Sequence, residues 1–435
     1  MQKLFFYNYI PRHIVLQQEI VYNTRMDRTI LHCDLNNFYA SVEQKAHPEY
    51  DGMPLAVCGD PEVRHGIVLA KNMLAKQAGV ATGEAVWISR KKCPGIVFVP
   101  PHYDEYVKYS RQVFGIYTEF TDRVESFGLD ECWLDVTGSL KLFGCDGKGL
   151  ADRIRETVKE RTGLTISVGV SFTKVLAKLG SDLKKPDATV VLDRAHYMDI
   201  IGGMAPSELI MIGKSTAHRL ELLGIRTIRA LAAADRGMLR EHFGVVADKM
   251  SDAARGIESE EVRLYYDKRT PKSVSHGTTT PRDITSEEDF KIVVYALAEL
   301  VAMRLRRYGL SAEGVGLSVR EATTLHHKSA QCTLPSATCA ASEIAERAIA
   351  LLPKIHAFPQ PLRAVTVAAT RLTDGSMTQL SLFDGENDEK ETNLGKSIDR
   401  IRGKYGYKAV KRGLMLKNDL ATNLHEDDGF LPFKR

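Results

Sequence analysis

The sequence contains no Cys-x-x-Cys pair. Its seven cysteines (33, 58, 93, 132, 145, 332 and 339) are scattered and odd in number. That pattern argues against a zinc knuckle or a disulfide scaffold and fits a reducing compartment. No uninterrupted apolar run reaches the roughly 18 residues of a membrane span. The first 25 residues lack the order of a signal peptide, which is a positive start, an apolar run and then small residues. Because a clean strand follows Met26, that methionine is expected to be the functional start, with 1–25 an extension. Bias of composition is missing too: 44% apolar and 26% charged residues are ordinary for a globular chain, so collagen-like, mucin-like and wholly disordered readings are out. Net charge is only +4, but it is unevenly spread. Between Arg263 and Thr373 there are 15 Lys/Arg against 10 Asp/Glu, a surplus larger than that of the whole chain. Such a surplus suits either a solvated surface or a face for a polyanion.

At 435 residues the chain is too long for one core, and domains of about 100–200 residues imply three or four units. Thr29–Leu35 is predicted as a short buried strand and Asn36–Gln44 as the helix after it. Further strands are predicted at Pro54–Gly59 and Gly66–Ala70, with helices at Lys71–Ala78 and Tyr103–Glu119. Val124–Val136 has the composition of a hairpin. Leu150–Arg161 is expected to be helical, Leu164–Val170 a strand, and Lys174–Leu183 a helix. Strands and helices thus alternate in an α+β pattern around one central sheet. After about Asp193 short helices take over, with Ile212–Leu223 and Thr227–Ala234 flanking a turn at Gly224-Ile225. Glu258–Thr270 is charged, has no apolar period and reads as a linker. From Lys272 to Thr373 a βαβ-like alternation resumes, in the order strand 273–280, helix 287–308, strand 314–320, helix 341–352 and strand 362–371.

Asp34 ends the first strand, and the pair Asp130-Glu131 lies in the hairpin. Carboxylates on sheet strands are costly unless something compensates their desolvation. A pair of hard divalent cations can do so, because Mg²⁺ takes a few carboxylates together with substrate phosphates. Hairpin turns favour Asp in any case. Spacing alone leaves both explanations open.

Three runs, ILHCDLNNFYASVEQ, FGLDECWLD and SVGVSFTKVLAKLGSDLKKP, occur in this order. Together they resemble the motifs of the Y-family translesion DNA polymerases, nearest to the DinB or DNA polymerase IV branch, over about 26–412. The resemblance implies an α+β multidomain right-hand polymerase. A ferredoxin-like palm would comprise 26–36 and 104–189, small fingers 37–103, and a helical thumb with a helix-hairpin-helix 190–262. A linker would follow at 263–271, then a βαβ-type little finger at 272–373 and a tail at 374–435. It also implies that Asp34, Asp130 and Glu131, with the backbone carbonyl of Leu35, bind two Mg²⁺ ions for nucleotidyl transfer of dNTPs to a primer 3′-end. Tyr39 falls at the steric gate that excludes a ribose 2′-hydroxyl. Lys178 matches a triphosphate-binding lysine, and Lys76 stands where many members carry arginine.

Some positions depart from the commonest DinB pattern. Met73 replaces a tyrosine, Gly128 a serine and Asn36 a third acid, and the lysine at 76 is a feature shared with the UmuC branch. Ile67 and Leu69 are candidates for the roof over the nascent base pair.

Gly213 and Lys214 lie at a turn whose backbone amides can hold a phosphate without reading sequence. Lys272, Arg282, Arg320, Arg363 and Arg371 are candidates for contacts to the DNA backbone in the basic segment. Arg269 is a further one. In the polar tail, Gln379, Leu380, Leu382 and Phe383 form an exposed apolar peptide that resembles a motif for the bacterial sliding clamp. Ile398–Arg412 is expected to fold back as a basic helix. The implied partners are primer-template DNA, dNTPs and the clamp, and the implied setting is a cytoplasmic, nucleoid-associated monomer. No segment resembles a proofreading exonuclease. Two other readings use some of these features: a non-catalytic clamp-bound scaffold, and a nucleotidyl cyclase with similar paired acids.

Overall fold

Ile30–Leu35 is buried along its whole length and forms the central strand of the first sheet, β1. The computed structural model describes residues 28–59, 66–258, 260–267, 270–374, 385–416 and 418–420. After β1 come α1 (Phe38–Ala46), β2 (Leu55–Cys58), β3 (Val68–Lys71), α2 (Met73–Gln77), α3 (Val86–Lys92), β4 (Val97–Val99) and α4 (Tyr103–Tyr117). The hairpin is β5 (Val124–Ser126) and β6 (Glu131–Asp135), followed by α5 (Leu140–Phe143), α6 (Gly147–Thr162), β7 (Ile166–Ser171), α7 (Lys174–Leu183) and β8 (Thr189–Leu192). The described residues divide into two units, one within Met1–Val57, Ala70–Thr82 and Arg90–Asp267, the other within Cys58–Leu69, Gly83–Ser89 and Lys268–Arg435.

The first unit holds a sheet in the order β5-β6-β1-β7-β8. β1 runs antiparallel to both β6 and β7, with Asp34 opposite Glu131 on one side and His32 opposite Gly169 on the other. Side chains alternate across a strand. Leu31, Cys33 and Leu35 therefore join Cys132, Leu134 and Val168 in the core with Tyr106, Val113 and Tyr117 of α4 and Leu150, Ile154 and Val158 of α6. His32 and Asp34 point to the opposite face, where α7 lies. Gly169 explains how closely that helix rests: a Cβ there would stand 1.9 Å from the Ala177 carbonyl and 2.5 Å from the Ser181 amide. Thr173 caps α7, its hydroxyl accepting from the Leu176 amide at 3.2 Å.

Five short helices follow: α8 (Tyr197–Ile201), α9 (Lys214–Leu222), α10 (Ile228–Ala233), α11 (Arg236–Phe243) and α12 (Val246–Ala254). Leu209, Ile212, Leu220, Ile228, Leu231 and Met250 share one core with Leu176 and Leu179 of α7. The turn between α9 and α10 passes through Gly224 at φ +79°, a left-handed conformation that favours glycine. The stretch read as a linker departs from expectation up to residue 267. Val262 is fully buried beside Ile30, Trp133 and Ala177, and the Tyr265 amide donates to the Asp122 carbonyl at 2.8 Å. One buried apolar side chain leaves no period for a sequence pattern to reveal.

The second unit contains β9 (Ser273–Ile284), α13 (Glu287–Tyr308), β10 (Ser311–Glu321), β11 (His327–Thr338), α14 (Ala341–Leu351), β12 (Leu362–Thr373) and α15 (Gly385–Tyr405). Its sheet runs β11-β10-β12-β9 with every pairing antiparallel. The expected βαβ alternation is thus corrected to β-α-β-β-α-β. The overlooked β11 is an edge strand with a polar sequence and a proline at 335, a residue tolerated at a sheet edge. Along β10 and β12, Val315, Leu317, Val319, Val365, Val367 and Ala369 are buried in the core with α13 and α14. The intervening Gly316, Ser318, Thr366, Ala368 and Thr370 lie on the other, half-exposed face. α15 does fold back, held by charges: Arg306 donates to Asp399 (2.7 Å), while Arg402 and Arg412 both reach the buried Glu299 (2.6 and 2.7 Å). Residues 1–27 and 375–384, which include the extension and the clamp-type peptide, lie outside the described residues.

Gly169→Ala forces a Cβ into the backbone of α7, and overpacking of this kind costs about 1–3 kcal/mol. Urea unfolding of the full chain is expected to show a loss of at least that size. Wild-type stability in the variant would mean that α7 does not rest on β7 as described.

Candidate active site

Asp34, Asp130 and Glu131 meet where β1 and β6 end. The Leu35 amide donates to the Asp130 carbonyl at 3.0 Å, tying the end of β1 to the hairpin tip. The turn itself passes through Gly128 at φ +121°, a backbone region that favours glycine. Behind the tip, the Phe127 amide donates to the Glu131 carbonyl at 2.8 Å. Asn36 is bonded to Thr165 (3.1 Å) and Ser167 (2.8 Å).

Two lysines stand against these carboxylates. Lys178, in the middle of α7, lies 2.9 Å from Glu131 Oε1, 3.3 Å from Asp34 Oδ2 and 3.3 Å from Asp182. Lys185, just beyond the helix, lies 2.7 Å from Asp34 Oδ2 and 2.8 Å from Asp182. The sequence reading found Lys178 and missed Lys185, because a residue past a helix end belongs to no periodic face. Only the adjoining Lys-Lys-Pro run could have pointed to it.

The charges are unevenly matched. Burial pushes the Asp34 carboxyl up to about 6, with Glu131 adding to the effect and Lys185 and Lys178 opposing it. Asp130 is also raised, first by burial and then by the adjacent Glu131. Burial works on Glu131 in the same direction, but the His32 contact and Lys178 outweigh it and hold the carboxyl at about 2. Lys178 and Lys185 are both held above the usual ammonium range, since the carboxylates overcome the effect of their burial. His32 is fully buried, and its desolvation lowers it from the ordinary imidazole value.

Tyr39 stacks face to face on Tyr106 at 4.1 Å and 10°, with Tyr103 edge-on at 6.0 Å. Burial and then the Asp130 charge push its phenol up to about 12. The Tyr106 hydroxyl donates to the buried Glu43, which also bonds His102 at 3.0 Å, so the ring under Tyr39 is fixed.

Lys76 is exposed on α2, and no ion pair links it to the three acids. Met73 starts that helix, which Asn72 caps by accepting from Ala75. Ile67 is 43% exposed and bridges Ala85. Gly213 and Lys214 are exposed at the start of α9, where no side chain caps the helix. Arg282, a candidate for contact with the DNA backbone, closes its guanidinium on Asp289 (2.7 Å) and Asp419 (3.1 Å). Arg320 donates to the Leu325 carbonyl at 3.1 Å. Lys272, Arg363 and Arg371 make no side-chain ion pair among the described residues.

Among the described residues no three His, Cys, Asp or Glu side chains are arranged to hold a metal ion. Lys178 takes the position between Asp34 and Glu131. The donor set nevertheless fits a hard cation: it is all oxygen, and the raised Asp34 and Asp130 carboxyls lack sufficient positive charge.

Acids buried or half-buried at one end of a mixed sheet, facing lysines from α7 and the residues just after it, suit polyphosphate chemistry. Known proteins agree with that class. The impB/mucB/samB family model matches residues 33–182, and the model of that family's C-terminal domain matches 271–382. A solved chimera of the Y-family DNA polymerases Dbh and Dpo4 is similar in fold, with a TM-score of 0.69 at 23% identity, over 79% of this chain and 98% of that one. The DNA polymerase IV of Acetivibrio thermocellus is 43% identical over 395 residues, which is 90% of this chain and 98% of the relative. That of Moorella thermoacetica is 36% identical over 90% of this chain and 96% of its own length. The chain belongs to the Y-family of DNA polymerases, in its DNA polymerase IV group. No helix among the described residues is long and apolar enough to cross a membrane.

Asp130 is half-buried, has no ion pair among the described residues and sits beside Glu131. Asp130→Asn is therefore expected to raise the melting temperature of the unit that holds it, without metal, by a few degrees, each kcal/mol being worth about 2–4 °C in a unit of roughly 150–250 residues. Thermal unfolding in EDTA measures it. An unchanged or lower midpoint would show that this carboxylate is not under electrostatic strain.

Proposed function

We propose that this chain, a DNA-directed DNA polymerase by its family, performs error-prone translesion synthesis by two-metal nucleotidyl transfer to a primer 3′-end. The observation that carries the reading is the meeting of Asp34, Asp130 and Glu131 with Lys178 and Lys185 at one end of β1. Two Mg²⁺ ions, held by these carboxylates and the Leu35 carbonyl, would activate the 3′-hydroxyl and polarise the phosphates. The protein's own residues do the rest. Lys178 and Lys185 offer compact ammonium charges to the triphosphate and the leaving pyrophosphate. Lys185 thus joins the triphosphate set with Lys178, and Lys76 adds charge from α2. Tyr39, propped on Tyr106, presents its ring to the sugar and excludes a 2′-hydroxyl by bulk.

DNA is held mainly through its backbone, as low sequence selectivity requires. The open turn at Gly213 and Lys214 would take one phosphate. Lys272, Arg320, Arg363 and Arg371, with the small hydroxyl-bearing face of Gly316, Ser318, Thr366 and Thr370, would follow the duplex. In this reading the first unit supplies palm and thumb and the second the little finger. The peptide at Gln379, Leu380, Leu382 and Phe383 recruits the enzyme to the sliding clamp through an apolar pocket.

Primer extension separates this reading from the scaffold and the cyclase. Wild type should extend a primed template with dNTPs and Mg²⁺, and Asp130→Ala should lose at least about 100-fold, in line with removing a group that stabilises charge in the transition state. Absence of extension by wild type would favour a scaffold. Cyclic nucleotide from free triphosphate would favour a cyclase. Tyr39→Ala should incorporate ribonucleotides at least ten times more readily relative to deoxynucleotides, a change of about 1.4 kcal/mol. Unchanged sugar discrimination would remove Tyr39 from the gate.

A further inference from the structure

His32 is fully buried, two residues before Asp34 and on the same face of β1. Its Nδ1 lies 2.9 Å from the Ser181 hydroxyl on α7. Trp133 meets its ring edge-on with centroids 5.3 Å apart. Its Nε2 has no hydrogen-bond partner at ordinary distance and points at Glu131 Oε2, 3.5 Å away. The other oxygen of the same carboxylate, Oε1, faces Lys178 at 2.9 Å.

We propose that His32 is a positioning residue for Glu131, acting in a chain Ser181–His32–Glu131 that anchors Oε2 and leaves Oε1 to the charged centre. A bare nitrogen lone pair facing a carboxylate in the interior would be repulsive and would leave a buried polar atom unsatisfied, at about 1–3 kcal/mol. Whatever the charge of the ring, Nε2 therefore carries a hydrogen aimed at Oε2. In the neutral ring Nδ1 must then accept, and the Ser181 hydroxyl is its donor. That hydroxyl lies 2.8 Å from the Lys178 carbonyl as well, so its single proton has two acceptors, and only the bond to Nδ1 fixes the tautomer. Gly169 makes the chain possible, since it lets α7 approach closely enough for Ser181 to reach a residue on β1. Groups that orient a metal ligand from behind typically change metal affinity by about 10–100-fold when removed.

The inference rests on Glu131 being a cation ligand. Its test is Mn²⁺ binding, followed by electron paramagnetic resonance, to the full chain on a primed template ending in a dideoxynucleotide with the matching dNTP. His32→Phe is expected to weaken Mn²⁺ binding about 10–100-fold and to lower kcat for extension in Mg²⁺, with KM for dNTP within threefold of wild type. In His32→Gln an amide N–H takes the place of Nε2–H, and this variant should recover most of both losses. Ser181→Ala should lose less and add nothing in the double variant with His32→Phe. Wild-type Mn²⁺ affinity and kcat in His32→Phe would overturn the proposal. So would a His32→Gln variant no better than His32→Phe at equal melting temperature. If His32→Phe does not fold, Ser181→Ala decides, and unchanged affinity and kcat there overturn it. Failure of the underlying reading looks different, since wild type and Asp130→Ala would then bind Mn²⁺ alike.

Discussion

The repulsion among Asp34, Asp130 and Glu131, answered by Lys178 and Lys185, is the constraint on which the first unit depends. Strand pairing places Asp34 directly opposite Glu131, and no rearrangement of side chains alone can part them. Compensation has to come from the layer above, which is α7 and the residues just after it. A helix can hold lysines there only if it comes very close to the sheet, and Gly169 under Ala177 and Ser181 permits that approach. One missing Cβ on β7 therefore decides whether two ammonium groups reach a carboxylate on β1. The same approach brings Ser181 to His32, so the charge-balancing and ligand-orienting contacts share one structural cause.

Much of this was legible in the sequence, for definite reasons. Apolar spacing located α4, α6 and α13 to within a few residues. Motif order singled out the three acids where spacing alone left both explanations open. What escaped detection lacked a periodic signal. Lys185 lies past a helix end, and β11 is an edge strand without an inward apolar stripe. Val262 is a lone buried side chain in a charged stretch.

α15 shows the same limit from the opposite side. Its inward contacts are made by Asp399 and Arg402, whereas Leu394 is 61% and Tyr405 66% exposed. A rule that seats apolar faces inward would have turned the helix the wrong way. Buried ion pairs owe their position to partners rather than to hydrophobicity. Arg402 sits there because Glu299 waits on α13 with a second arginine, Arg412, on its other oxygen. Arg282 owes its position to partners in the same way: Asp289 and Asp419, distant from each other in sequence, both close on it.

A count of charge explains why the centre suits several ligands together rather than one alone. Among the described residues the four carboxylates of Asp34, Asp130, Glu131 and Asp182 outnumber the two ammonium groups of Lys178 and Lys185, so with all of them ionised the protein's own charges leave the site negative. A triphosphate, with about four negative charges, meets that field as repulsion when it arrives without cations. In the proposed reading, divalent cations held by Asp34 and Glu131 would take the place of Lys178, and without phosphate would leave both ammoniums beside an excess of positive charge. A triphosphate bound with them would offset their charge, and the two lysines would have the phosphates as partners. On the same reading, the Asp34 and Asp130 carboxyls, held above their ordinary range, mark a site left short of positive charge by its own residues, which a nucleotide entering together with a metal would suit better than either alone.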